Sequence, residues 1–264
     1  MTEAKSRTQS RGPLAPASLA ARYRPDDVRL LTAAERERFL GPSNVATDWG
    51  EIAPRIAWEL LYRKEPDLYV RLVAGERIHP GILEWLPQRV SRCVEVAAGT
   101  GRLTLDLVPR CRELIAVEPA APLRVILERK LRGRPGVQVR EGFFDAVPVP
   151  DACADLVISL SAFTPDPSHG GDAGLAELER VAAARGLIVL VWPADVEWFV
   201  RRGFEYVSFP GEMTVEFSSL EEAAEIAKIF YPHAVEEIAG RGSARVPYEV
   251  LGMNPPRDLV WKRS

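Results

Sequence analysis

A chain of 264 residues, 47% apolar and 27% charged, can bury a sizeable core as one large domain or as a domain with a cap. Its net charge of −3 gives no general basic footprint for nucleic acid, and no apolar run approaches the roughly 18 residues that span a bilayer. Cys93, Cys111 and Cys153 are odd in number and widely spaced, which excludes a disulfide framework and a paired zinc motif. They read as reduced thiols in a soluble, cytoplasmic protein.

The N-terminal stretch MTEAKSRTQSRG has no apolar centre of the kind a signal peptide carries. Residues 1–26 are rich in Ser, Pro, Ala and Arg and read as a disordered leader. Its cluster Lys5, Arg7, Arg11, Arg22 and Arg24 reads as a solvated basic tail. Order is expected from LLTAAERERFL, where Thr32 and Glu35 have capping-box spacing. In EIAPRIAWELLYR, Ile52, Ile56 and Leu60 fall on one helical face, with Pro54 placed in the first turn. PDLYVRLVAGE and HPGILEWLPQ continue the helical pattern, so residues 27–90 are expected to form an N-terminal helical cap.

From residue 91 the pattern alternates. RCVEVA (92–97) is a strand, RLTLDLVPRC a helix, LIAVEP (114–119) a strand and LRVILERKLRG a helix ending at Gly133. VQVREG and ADLVISLSA (154–162) supply two more strands, LAELERVAAA a helix and GLIVLVWP (186–193) a fifth strand. Near-continuous Val/Ile/Leu strands separated by helices predict an α/β, doubly wound parallel sheet covered on both faces. DVEWFVRR reads as a short helix and GFEYVSF as a strand. SSLEEAAEIAKIF starts another helix with Ser219 and Glu222 spaced as a capping box, and YEVLGM or DLVWKR supplies the last strand.

In such sheets ligands bind beyond the carboxyl ends of the strands, where strand order reverses. The first strand ends at Ala97 and runs into Ala98-Gly99-Thr100-Gly101, and Glu118 closes the second strand seventeen residues after Gly101. A carboxylate there can accept a hydrogen bond from each ribose hydroxyl. Thr104 stands at the third position of the G-x-G-x-x-G fingerprint that holds a pyrophosphate, so the dinucleotide pattern is incomplete.

Four segments in register carry a family resemblance. VEVAAGTGRLT resembles motif I of class I S-adenosylmethionine-dependent methyltransferases, and IAVEPA resembles their second-strand motif. EGFFDAVPVPDACADLVIS and ELERVAAARGLIVLVWP resemble the segments that follow, and GFEYVSF resembles the next strand of the ubiquinone-biosynthesis-like branch. The likeness covers about residues 90–210. It implies a mostly parallel seven-stranded sheet over residues 91–264, S-adenosylmethionine as cofactor, and a substrate-covering segment near 195–247.

Carried over by position, the resemblance implies that Gly99 and Gly101 let the backbone approach the cofactor and that Glu95 positions its methionine end. Glu118 would hold the ribose and Pro119 would pack near the adenine. Ser159 to Ser161 would face the methyl group. Ala97 replaces the usual first glycine and is expected to keep a negative φ at its strand end. Phe143 stands where an aspartate often reaches the adenine amino group, which leaves stacking from Phe143 or Phe144, or ordinary core packing, for these rings.

Methyl transfer requires alignment and exclusion of water, and a base only where the acceptor is a hydroxyl or an acidic carbon. The loop FTPDPSHGGDAG after the fourth strand offers His169 and Asp166; His79 and Tyr62 are weaker candidates, and His233 has no assigned role. No cluster has metal-ligand spacing. The aromatics Trp49, Trp58, Tyr62, Tyr69, Trp198, Phe204 and Tyr206 could line an apolar substrate pocket or serve as core. The strand-four sequence SLSAFTPDP lacks the Asn/Asp-Pro-Pro-Tyr/Phe motif of amino-directed nucleic-acid methyltransferases, which with the acidic balance favours a small-molecule acceptor. The competing readings are an NAD(P)-dependent oxidoreductase and a catalytically inactive S-adenosylmethionine-binding protein.

Overall fold

The computed structural model describes residues 14–41 and 48–264. Helices α1 (Ala17–Ala20), α2 (Ala33–Leu40), α3 (Trp49–Lys64), α4 (Pro66–Ala74) and α5 (Pro80–Trp85) come first. Then β1 (Val90–Val96), α6 (Thr104–Leu107), β2 (Cys111–Val117), α7 (Ala121–Leu131) and β3 (Val137–Arg140) alternate. They are followed by β4 (Ala154–Leu160), α8 (Gly171–Val181), β5 (Ala182–Val191), α9 (Val196–Val200) and β6 (Glu205–Ser208). The chain closes with β7 (Thr214–Glu216), α10 (Leu220–Phe230), α11 (Val235–Arg241), β8 (Arg245–Pro247) and β9 (Asp258–Arg263).

Seven strands form one sheet in the order β3-β2-β1-β4-β5-β9-β6. The first five are parallel, and β9 runs antiparallel to both β5 and β6. This is the doubly wound arrangement, with strand order reversing between β1 and β4, where a ligand crevice forms. Strand alternation splits the core: Val94, Val96, Val157 and Ile188 pack on one face, and Cys93, Leu114, Leu156 and Val189 on the other.

A third apolar cluster unites α1, α3 and α4 with α10, α11 and the small two-stranded β7–β8 sheet through Leu19, Ile56, Leu60, Leu72, Val215, Ile226, Ile238 and Val246. The cap is therefore made of two distant segments. Residues 195–208 are not part of it, contrary to the expected 195–247 boundary. Phe199 and Phe204 pack on the sheet instead, because β6 must pair with β9.

The leader is corrected in its second half. Ala15, Leu19, Ala20 and Tyr23 are buried, Ala15 N–H donates to the Pro54 carbonyl at 2.7 Å, and the Ser18 hydroxyl donates to the Ile229 carbonyl at 2.6 Å. Four apolar side chains and two hydrogen bonds to backbone carbonyls suffice to dock a segment whose composition is otherwise that of a tail. Lys5, Arg7 and Arg11 lie outside the described residues.

Local signals fare unevenly. Thr32 and Glu35 close a reciprocal capping box, Glu35 N–H to Thr32 Oγ1 at 3.2 Å and Thr32 N–H to Glu35 Oε2 at 2.7 Å. Ser219 accepts from Glu222 N–H at 3.0 Å, but the Glu222 carboxylate turns away to Arg71, so only half of that box forms. Pro54 is the sixth residue of α3, one turn later than expected. The helix expected over RLTLDLVPRC shrinks to α6 and a 3-10 turn, since Pro109 cannot donate to a continuing α-helix and Cys111 already pairs in β2. β5 starts at Ala182, inside the segment read as helix, and YEVLGM is a turn.

Candidate active site

β1, β4 and β5 stop at one level, and each is followed by a non-glycine residue in the left-handed region. These are Ala97 (φ 59°), Ser161 (φ 61°) and Trp192 (φ 55°). The turns keep the backbone paired: Ala98 N–H donates to Val117 O at 3.0 Å, Ser161 N–H to Val191 O at 2.9 Å and Trp192 N–H to Asp258 O at 2.9 Å. The expected negative φ at Ala97 is thus overturned. The chain must reverse there to hand its next N–H to β2, and a Cβ in that conformation costs about 1–2 kcal/mol.

The loop after Ala97 is tied to the end of β2. Glu118 is buried; one of its oxygens accepts Gly99 N–H at 2.9 Å and the other accepts Ala120 N–H at 2.9 Å. Burial pushes its carboxyl up to about 7, against the pull of the two N–H donors. Above this loop a cavity of about 1190 Å³, counted to its open mouth, lies between sheet and cap.

Gly99, Ala97, Glu118 and Pro119 form one end of the cavity, with Phe143 and Phe144 beside them. Phe144 also packs edge-on against Phe163 at 4.8 Å, and Phe143 lies under the Arg38 guanidinium at 4.3 Å. Both phenylalanines thus border the cavity and pack at the same time. The other end carries Ser161, Thr164, Ser168 and His169 from the loop after β4. Cap helices α3 and α4 supply the roof with Arg55, Trp58, Glu59, Tyr62 and Tyr69.

Four residues expected at the site stand elsewhere. Glu95 does not border the cavity. Strand alternation sends it to the Cys93 face, under α6 and close to the Thr104 hydroxyl, where burial pushes its carboxyl up to about 8. Ser159 is buried with its hydroxyl unpartnered among the described residues, and Ser161, turned by its left-handed backbone, takes the expected place. Gly101 (φ 93°) faces α7: a Cβ there would stand 2.7 Å from Leu127 Cδ1. Asp166 sits behind the wall, accepting Ser168 N–H at 2.8 Å and the Ser168 hydroxyl at 2.6 Å.

Glu59 and Arg102 are site residues that the sequence reading did not single out. On α3 the cavity face is Arg55, Trp58, Glu59 and Tyr62, at helical spacing and beside the apolar Ile52-Ile56-Leu60 face. That second stripe was visible in the periodicity. Glu59 is buried with Arg63, whose guanidinium meets Glu59 Oε2 at 2.7 Å and Glu35 Oε1 at 2.5 Å. Arg102 pairs with buried Glu76 and lies 5.8 Å from the Trp192 ring.

Residues 94–190 match the family described as methyltransferase domain. Over that stretch the chain is similar to a methyltransferase domain. An uncharacterised methyltransferase of Mycobacterium tuberculosis is 30% identical over 115 residues, 43% of this chain and 44% of that protein. One of Geobacillus kaustophilus is 32% identical over 96 residues, 36% of this chain and 44% of that protein. The chain spans less than half the length of these curated relatives. Among solved structures, an S-adenosylmethionine-dependent methyltransferase of Aquifex aeolicus aligns with a TM-score of 0.45 at 18% identity, over 57% of this chain and 93% of that one. A phosphoethanolamine N-methyltransferase of Haemonchus contortus aligns at 0.41 and 17% identity, over 61% and 33%.

Similarity to a methyltransferase domain favours S-adenosylmethionine among the nucleotide classes left open by the glycine turn. Among the described residues no helix is long and apolar enough to cross a membrane.

Proposed function

We propose that the protein transfers a methyl group from S-adenosylmethionine to a small molecule held beneath the helical cap. The observation that carries the reading is one continuous cavity from Gly99 and Glu118 to Trp58, Tyr62 and Tyr69. The residues at its inner end suit the cofactor. Each Glu118 oxygen has spent one lone pair on a backbone N–H and keeps another for a ribose hydroxyl. Gly99 offers backbone without a side chain, and Pro119 and Phe143 flank the space an adenine would need.

When bound, S-adenosylmethionine supplies a methyl group activated by a positively charged sulfur. The chain's own part is to bind, to align the acceptor and to exclude water. Aromatic faces from Tyr62 and Tyr69, packed edge to face at 5.0 Å, suit a sulfonium charge and an apolar acceptor alike. The acceptor end mixes these rings with a few polar groups, as small-molecule sites do.

Calorimetry with S-adenosylhomocysteine and with NADH tests the reading. Binding of the first, weakened by about 1–3 kcal/mol in Glu118→Ala through unpaired ribose hydroxyls, is the expected result. Binding of NADH alone, or unchanged affinity in the variant, would overturn it.

A further inference from the structure

We propose that His169 is the general base of this site and that the methyl acceptor is an aromatic or enolic hydroxyl, an inference that rests on the methyl-transfer reading. The argument follows the protons. Burial raises the Asp166 carboxyl, but the Ser168 hydroxyl and N–H outweigh it and hold the group below the ordinary carboxylate range. An ionised carboxylate only accepts, so the single Ser168 hydroxyl proton is committed to Asp166 at 2.6 Å. The Ser168 oxygen also lies 2.7 Å from His169 Nδ1 and must accept there. Nδ1 therefore carries an imidazole proton, which makes Nε2 the accepting nitrogen whenever the ring is neutral.

His169 borders the cavity, and its Nε2 faces Glu59 Oε1 at 3.6 Å. These are two acceptors across a gap too long for a hydrogen bond. A donor is required between them, and a substrate hydroxyl entering from the cavity can supply it. Glu59 cannot swing away freely, because Arg63 donates to both its Oε2 at 2.7 Å and its carbonyl oxygen at 2.8 Å. The ring is equally fixed. Phe39 packs on it at 5.6 Å, and the backbone that carries it is held by His169 backbone N–H to Asp166 O at 2.9 Å and Thr164 N–H to His169 O at 3.0 Å.

The step balances. The hydroxyl proton passes to Nε2, the oxygen forms the new O–C bond, and the C–S bond breaks with its pair left on sulfur. The products are a neutral ether, a neutral thioether and an imidazolium that later loses its proton to solvent. That imidazolium faces the Glu59 carboxylate and, through Ser168, Asp166. The other charged groups around it are Arg63 behind Glu59, Arg55 at the mouth and Glu118 across the cavity. A neutral amine attacks with a lone pair it already has and gains little from a base before transfer. A hydroxyl of aromatic or enolic acidity matches an imidazole, and Phe39, Trp58 and Tyr62 offer flat apolar walls for its body.

The test uses the full chain with S-adenosylhomocysteine. Side-chain 15N NMR, with His169 assigned through His169→Gln, is expected to show the neutral ring protonated on Nδ1; a proton on Nε2 overturns the proposal. Methyl transfer is then measured on matched phenols and anilines. Phenol turnover is expected to fall about 10²–10⁴-fold in His169→Gln while S-adenosylhomocysteine affinity stays at the wild-type value. Ser168→Ala is expected to mix the two tautomers, and Glu59→Gln to move the acid limb of the pH–rate profile. A panel in which anilines alone are methylated, or phenol turnover within threefold of wild type in His169→Gln, overturns the assignment. Failure of the wild type to bind S-adenosylhomocysteine would instead remove the methyl-transfer reading and leave the tautomer result standing.

Discussion

The Glu118 carboxylate accepts the Gly99 N–H at 2.9 Å, so the end of β2 holds the loop that follows β1. The same carboxyl is raised to about 7 by burial, which places its titration in the working range of pH. A ligand that donates hydroxyls to Glu118 prefers the ionised form. Its affinity should therefore rise with pH through about 7 and level off above, and binding near pH 6 should release a proton. S-adenosylhomocysteine calorimetry at pH 6, 7 and 8, in two buffers of different ionisation enthalpy, measures both effects. In Glu118→Gln the pH dependence should flatten. Equal affinity and no buffer dependence in the wild type would show that Glu118 does not receive the ligand's protons.

Two positions in the glycine turn should respond in opposite senses. Ala97 adopts φ 59° with a Cβ, so Ala97→Gly removes left-handed strain but adds unfolded-state freedom. A net gain of about 0.5–1 kcal/mol is expected from urea unfolding. Gly101→Ala meets φ 93° and Leu127 Cδ1 at 2.7 Å, and should lose about 1–3 kcal/mol by overpacking. A loss of stability in Ala97→Gly would show that the strand end is held by its neighbours without strain.

These positions also mark what the sequence could convey. The parallel strands were legible because residues buried on both faces leave unbroken Val/Ile/Leu runs. Glu118 was legible because it follows a glycine turn at a set interval. The sign of φ at Ala97 was not, since it depends on where β2 offers its carbonyl. Glu95 and Ser159 were placed at the site by resemblance, yet strand alternation and the backbone turn after Leu160 put them behind it. Glu59 escaped notice for another reason: its partner His169 is 110 residues away, and only the folded cap brings α3 over the β4 loop. The buried half of the leader was hidden because composition averages over Ala15, Leu19 and Tyr23.

Glu95 should make the fold pH-sensitive without touching the ligand. Its folded-state carboxyl lies near 8 against an ordinary 4.5, with burial as the cause. The folded protein thus holds a proton the unfolded chain has released, and stability falls as pH rises from about 4.5 through 8. Glu118, with its carboxyl near 7, contributes in the same sense up to about pH 8, so the share of Glu95 is the part of the slope that Glu95→Gln removes. Glu95→Gln imitates the protonated acid and carries no such titration, so its advantage over the wild type should widen from pH 6 to pH 9, by an amount on the order of a few kcal/mol. Urea unfolding at the two pH values checks this. Parallel curves for wild type and variant would mean that Glu95 is already ionised and solvated.

Arg63 ties two carboxylates together inside the cap. Its guanidinium is buried between Glu59 at 2.7 Å and Glu35 at 2.5 Å. Burial alone would lower its pKa, but the two carboxylates raise it above the ordinary value, and Glu35 is held low in return by Arg63 and the Thr32 N–H against its own burial. Removing the cation strands two carboxylates in a protein interior. Arg63→Met should lose about 3–5 kcal/mol, as expected when one member of a buried charge cluster is deleted. Adding Glu35→Gln to that variant should recover part of the loss, because it removes one stranded charge while Thr32 can still cap the helix. If instead Arg63→Met costs less than 1 kcal/mol in urea unfolding, water reaches the cluster and the cap is not locked from within. In the same variant Glu59 loses the donors that fix it opposite His169, so phenol turnover should fall even where the fold survives.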